Sequence, residues 1–176
     1  MEPHAVAQAE RQGASLVRLG PAFRQIANDA GVIIGSDNVA RVNEAMDWFN
    51  SNFYKDWGYG LVYPQLFPHH KRPDDTVHAG GIAWAQDRCK VWLQVLNDHW
   101  LAGTKKYICG DQITVADYLG SAIMSIGELI HCDLAKYPNV QRWIANVKKQ
   151  PNYEKINDAA FNGFAASTKG KAWQTV

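Results

Sequence analysis

Apolar residues recur every three or four positions along most of this chain, and no run alternates apolar with polar. That property constrains the fold more than any other. A period near 3.6 lines one face of a helix, whereas a period of two lines one face of a strand. Val39, Val42, Met46, Phe49 and Phe53 carry the helical spacing after Asp37. Ile82, Cys89, Leu93, Leu96 and Trp100 carry it from about Thr76 to Leu101. Val115, Leu119, Ala122, Ile126 and Leu129-Ile130 carry it after Thr114, and Val140, Trp143-Ile144 and Val147 after Tyr137-Pro138. The chain is expected to be all-α, a helical bundle with the Thr114 helix at its centre.

Between these segments the punctuation is clear. Three prolines and two glycines in GYGLVYPQLFPHHKRPDD are expected to end the first helix near Tyr59 and leave an irregular, aromatic-rich connection. Upstream, Ala5 to Ala30 is helix-compatible but interrupted by Gly13, Gly20 and Pro21, and GVIIG reads as an apolar connector. Pro151 ends or restarts the last long helix, and Phe161, Phe164 and Trp173 mark the tail.

Within GDQITVADYLG, Thr114 and Asp117 could be a hydroxyl–carboxylate pair or the start of a helix. No His or Lys stands near enough in sequence to activate the hydroxyl. A Thr followed three residues later by an acid is the pattern of a capping box, with Asp in place of the commoner Glu. Ile113 and Tyr118 stand where a hydrophobic staple would pack. The pair is expected to be structural.

The chain has 176 residues, 47% hydrophobic and 20% charged, with a net charge of +1. A chain of this length can bury roughly 70% of its unfolded surface and so build its own core. The near-neutral charge gives no footprint for nucleic acid. No window reaches a membrane-spanning length of apolar residues, so no membrane partner is expected. Cys89, Cys109 and Cys132 form no CxxC pair, and their odd number argues against a disulfide framework. MEPHAVAQAERQ lacks the basic start and apolar run of a secretion signal, and a cytoplasmic location is expected. His69-His70 with His78 lacks a zinc-type spacing, so no metal site is expected.

Gly110-Asp111, Thr114-Val115-Ala116-Asp117, Tyr137-Pro138-Asn139, Trp143 and Pro151 together resemble the C-terminal helical domain of the cytosolic glutathione transferases, in delta- or theta-like form. RVNEAMDWFNSNFY with LVYPQLF resembles the first helix of that domain and its exit. The resemblance covers about Asp37 to Phe164. It implies a domain spanning residues 37–176, preceded by a helical arm or linker at residues 1–36. It also implies that Tyr54, Trp57, Tyr63 and Phe67 line a hydrophobic-substrate pocket, although core or interface packing would use the same rings.

In that family a thioredoxin-like domain binds glutathione and supplies the Ser, Tyr or Cys that stabilises its thiolate. Four strands of about five residues and two helices of about eleven would exceed the stretch before Asp37. No counterpart of the cis-proline motif or of the glutathione-carboxylate serine stands in it. The expectation is a glutathione-transferase-like protein, inactive as this isolated chain, with no catalytic residue of its own and no cofactor. Glutathione would be a co-substrate only if a thioredoxin-like domain were supplied. The alternatives are a non-catalytic dimerisation or assembly module and a hydrophobic-ligand-binding protein. A homodimer is expected, because the first two helices carry more apolar surface than one bundle buries.

Overall fold

The structure, a computed structural model, describes residues 39–157 and 163–176. The expected N-terminal arm at residues 1–36 and the opening of the first helix at Asp37 lie outside the described residues. Within them the fold is all-α. The nearest approach to a sheet among the described residues is one bridge, Tyr107 to Gly110, which closes a turn.

Residues 39–66 form one continuous helix, α1. It is α-helical over Val39–Trp48 and Tyr63–Leu66 and π-helical over Phe49–Phe53 and Lys55–Val62. This corrects the expected end near Tyr59. Gly58 and Gly60 do not break the helix because both sit where other groups press close. A Cβ added at Gly60 would lie 2.7 Å from the Ala85 Cβ of the neighbouring helix. The helix stops only where Phe67 turns extended ahead of Pro68.

Helix α2 covers Asp75–Val95 and continues as a π-helix over Leu96–Trp100. Its cap is Asp74, whose carboxylate accepts from the Val77 amide at 2.8 Å. Beyond its end, Lys105 Nζ reaches the Trp100 carbonyl at 3.3 Å, and Arg142 Nη2 donates to the carbonyls of Leu101, Gly103 and Lys105 at 3.0–3.1 Å. These cations satisfy acceptors that the helix end leaves open.

Helix α3 covers Val115–Ser125 and tightens to 3₁₀ over Ile126–Ile130, ending at His131 with φ 55°. Between Thr114 and Ile130 only Tyr118, Ala122 and Glu128 are exposed, so α3 is the buried centre. Its deepest face is not the expected one. Ala122 is exposed, while Ala116, Gly120, Ser121 and Met124 are buried. The reason is close packing against α1. A Cβ at Gly120 would lie 2.5 Å from the Phe49 ring, and one at Gly127 would lie 2.2 Å from the Trp57 ring. Small residues admit large rings, so the buried face of α3 is poor in large apolar side chains.

Helix α4 covers Pro138–Lys148 and buries Val140, Trp143 and Val147, with proline in its first turn. Short helices α5, Tyr153–Asn157, and α6, Gly163–Thr168, follow. The tail then returns across α1, where the Gln65 side-chain amide pairs with the Gln174 backbone through bonds of 2.8 and 3.0 Å. No described helix is long and apolar enough to cross a membrane.

Candidate functional site

Rings gather at the C-terminal end of α1. The Tyr54 and Tyr63 hydroxyls are 2.8 Å apart. Tyr59 lies 5.2 Å from the Tyr63 ring, and Phe67 lies 5.6 Å from it. His70 stands 5.5 Å from Tyr63, and Phe164 of α6 stands 6.1 Å from Phe67. Most of these contacts are edge-on or tilted, as ring quadrupoles favour. The cluster is half-buried, with Tyr59 and Phe164 exposed at its margin. Burial and the bond to Tyr63 push the Tyr54 hydroxyl above its usual pKa. It is therefore a neutral hydrogen-bonding group at physiological pH.

Three of the four residues singled out in the sequence, Tyr54, Tyr63 and Phe67, meet here. Trp57 does not. It is fully buried, stacked 5.3 Å from Phe53 and pressed against Gly127. The physical reason is the four-residue spacing Phe49, Phe53, Trp57, Leu61, all on the core side of α1. Trp57 instead borders a separate small cavity with Met124, Cys132 and Ile144. Sequence reasoning missed Tyr59, His70 and Phe164. The first two follow the same aromatic run, but Phe164 is distant in sequence and only the return of α6 brings it in.

The start of α3 is a different kind of centre. Asp117 is fully buried. Its Oδ2 accepts from the Thr114 backbone N–H at 2.8 Å and from the Thr114 hydroxyl at 3.0 Å. Its Oδ1 accepts from the Ile108 N–H at 2.8 Å and from Trp143 Nε1 at 2.9 Å. Burial pushes this carboxyl above the usual carboxylate range, and the four hydrogen bonds pull the other way. All four donors are used within the fold, so the group faces no substrate. The bonds from Ile108 and Trp143 were not foreseen, because nothing local in the sequence marks them.

A second buried carboxylate, Asp56, also escaped the sequence reading. It accepts from Trp92 Nε1 at 2.7 Å and lies 3.6 Å from Arg88 Nε and 3.9 Å from Lys55 Nζ. The Arg88 guanidinium sits 4.8 Å from the Trp92 ring centre.

The three thiols are unsuited to nucleophilic work. Burial pushes Cys109 up to about 11 and Cys132 up to about 12. Burial also raises Cys89, with the Asp56 charge adding to it. Thiolates are therefore scarce near neutral pH. Among the described residues no three His, Cys, Asp or Glu side chains stand together as metal ligands.

An all-α bundle with a buried central helix, its N-terminus tied to a Trp of the next helix, defines a class. Residues 86–151 match the family model for the glutathione S-transferase C-terminal domain. Over that stretch the chain is similar in sequence to a glutathione-transferase C-terminal helical domain. Glutathione S-transferase D6 of Drosophila melanogaster is 44% identical over 43 residues, 24% of this chain and 20% of that protein. Glutathione S-transferase D7 of the same organism is 43% identical over 49 residues, 27% of this chain and 22% of that protein. The matched segments thus span about a fifth of these curated relatives. Among solved structures, a delta-class glutathione transferase of Nilaparvata lugens aligns with a TM-score of 0.57 at 24% identity, over 80% of this chain and 61% of that one. A glutathione S-transferase of Sinorhizobium meliloti aligns with a TM-score of 0.59 at 19% identity, over 76% of this chain and 58% of that one. These two likenesses concern the fold.

Proposed function

We propose that this domain is the hydrophobic-substrate half of a glutathione-transferase-like protein, holding apolar electrophiles without activating the thiol itself. The observation that carries the reading is the Tyr54–Tyr63–Phe67–Phe164 cluster, a half-buried aromatic surface with one paired hydroxyl position. An apolar ring can lie against such a surface, and the hydroxyl pair offers it a hydrogen bond. Conjugation needs more. The glutathione thiol must be held beside a group that lowers its pKa, in a geometry where attack is nearly unimolecular. The groups here run the other way, since the Tyr54 hydroxyl and all three thiols are raised. Binding without transition-state stabilisation gives little acceleration.

The test pairs binding with turnover. The uncharged dye N-phenyl-1-naphthylamine should bind the 176-residue chain. Tyr63→Ala with Phe67→Ala should weaken it about tenfold, the worth of losing one or two ring contacts. Conjugation of glutathione to a chromogenic aryl halide should stay at the uncatalysed rate. Turnover at ordinary enzyme rates, abolished by changing one residue of this chain, would sink the reading.

A second reading, assembly, rests on a separate observation. Val77, Trp84 and Val91 recur every seven residues on α2 and are 62%, 60% and 52% exposed. A stripe of that kind suits a helix-to-helix contact with a second copy. Sedimentation should give a homodimer at micromolar concentration, and Val91→Glu should give monomer. Monomer throughout that range for the unaltered chain would remove the assembly reading and leave the ligand reading intact.

A further inference from the structure

Gly58 lies inside α1, and glycine is the poorest helix former after proline. What lies over it explains its place. A Cβ added there would stand 2.5 Å from Cε2 and 2.8 Å from Cδ2 of Tyr54, and 3.4 Å from Cε2 of Tyr63. In each ring Cε2 is bonded to the carbon that carries the hydroxyl. The hydroxyl ends of two phenols thus converge above a residue without a side chain, and their oxygens meet at 2.8 Å.

The rings cannot keep this arrangement over a larger residue. Carbon atoms attract at about 3.5–4.0 Å, so a methyl group at residue 58 must push the Tyr54 ring outward. That ring is half-buried and has room to swing, with Tyr59 exposed beside it. The displacement falls on the hydroxyl end, where a shift of about 1 Å is enough to break a hydroxyl–hydroxyl bond.

The pair decides what the surface can select. Each hydroxyl has one O–H to donate. One is used between the rings, and the same bond fixes both rotors, so the other O–H is presented in a set direction. Burial, and then the bond to Tyr63, hold the Tyr54 phenol in its neutral form, although the Tyr59 hydroxyl pulls the other way. The surface therefore offers a donor and no charge.

We propose, resting on the ligand reading above, that Gly58 is a positioning residue for this surface. By lacking a side chain it seats the Tyr54–Tyr63 hydroxyl pair, and the seated pair makes the surface prefer flat, uncharged ligands that carry a carbonyl oxygen over those without such an acceptor. A site that holds a hydrogen-bonding group in place rejects the analogue that leaves the group unpaired.

Two uncharged dyes measure the preference on the full chain: prodan, a naphthalene ketone, and N-phenyl-1-naphthylamine, which has no carbonyl. The readout is the ratio of their affinities, in which a general loosening of the surface cancels. Gly58→Ala should lower the ratio about fivefold, the worth of one neutral hydrogen bond. Tyr54→Phe with Tyr63→Phe keeps both rings, removes both hydroxyls and should lower it by the same factor. Adding Gly58→Ala to that pair should lower it no further. In spectra of isotope-labelled tyrosine, the Tyr54 ionisation should fall toward that of an ordinary tyrosine in Gly58→Ala, as burial and the Tyr63 bond are lost. Gly80→Ala, where an added Cβ meets no atom within 4 Å, should change neither readout. A ratio unmoved by Gly58→Ala or by the paired Phe substitutions would overturn the proposal, as would an equal fall when Gly58→Ala is added to the chain lacking both hydroxyls. Loss of the fold in Gly58→Ala would overturn it too, since the space would then serve the core and not the phenols. None of these outcomes touches the apolar-electrophile reading, which is decided by Tyr63→Ala with Phe67→Ala.

Discussion

Asp117 and Asp56 are both buried carboxylates, and each grips the indole N–H of a tryptophan on another helix. Asp117 holds Trp143 of α4 at 2.9 Å, and Asp56 holds Trp92 of α2 at 2.7 Å. They differ in everything else. Asp117 is surrounded by four neutral donors and has no cation, whereas Asp56 has one neutral donor and two cations whose side chains are 64% and 40% exposed. A carboxylate can be accommodated in a core by dipoles fixed in place or by charges that stay half in water. The first solution ties chain segments together rigidly. The second depends on solvent and salt.

The largest expected difference lies in truncating the two carboxylates. Asp117→Ala orphans the Ile108 and Thr114 amides and the Trp143 indole, all inside the core. At 1–3 kcal/mol per unsatisfied group, with partial relaxation, the loss should be about 4 kcal/mol. Asp56→Ala orphans one indole and frees two cations that can reach water, so about 2 kcal/mol is expected. Urea melts measure both. Equal losses would mean that the number of fixed donors does not decide the cost.

A smaller effect separates the two halves of the α3 start. Thr114→Ala removes the hydroxyl but keeps the backbone N–H that Asp117 uses, so its loss should be about 1 kcal/mol. A loss matching that of Asp117→Ala would place the hydroxyl, not the carboxylate, at the centre of the cluster.

The smallest effect is the sharpest discriminator. Raising sodium chloride from about 0.05 M to about 1 M shortens the screening length severalfold. The penalty for Asp56→Ala should shrink by a few tenths of a kcal/mol, because Lys55 and Arg88 are screened. The penalty for Asp117→Ala should not change. A salt-sensitive Asp117 would break the contrast.

The same contrast explains what the sequence reveals. Thr114 and Asp117 are three residues apart, so their relation is written in a local pattern. Trp92 is 36 residues from Asp56, and no local pattern pairs them. The all-α class and α2 to α4 were legible from periodicity, with α2 starting one residue early. The length of α1 was not, because Gly58, Gly60 and Pro64 read as breakers, while the glycines are closely packed and Pro64 falls only in the last turn, just before the helix ends at Leu66. The buried face of α3 was misread because glycine and serine face the core there, making room for Phe49 and Trp57. Half of the aromatic cluster was legible: Tyr54, Tyr63 and Phe67 were singled out, and Tyr59, His70 and Phe164 were not. Trp57 was placed in it by the family resemblance, but the helix turns that side chain to the core face, away from Tyr54 and Tyr63.

The π-helical turns of α1 account for that separation and have one more consequence. A helix bonded i→i+5 holds more residues per turn than 3.6, so a strict four-residue repeat stays in line instead of drifting round the axis. That is why Phe49, Phe53, Trp57 and Leu61 all remain in the core. Wide turns are also slack in the chain. A helix that carries surplus residues per turn can lose one between 49 and 62 by relaxing to ordinary α geometry, and both ends keep their orientation. The segment that looks least regular is thereby the one best able to absorb a deletion, so length variation among such chains can accumulate inside this helix and not only in the loops.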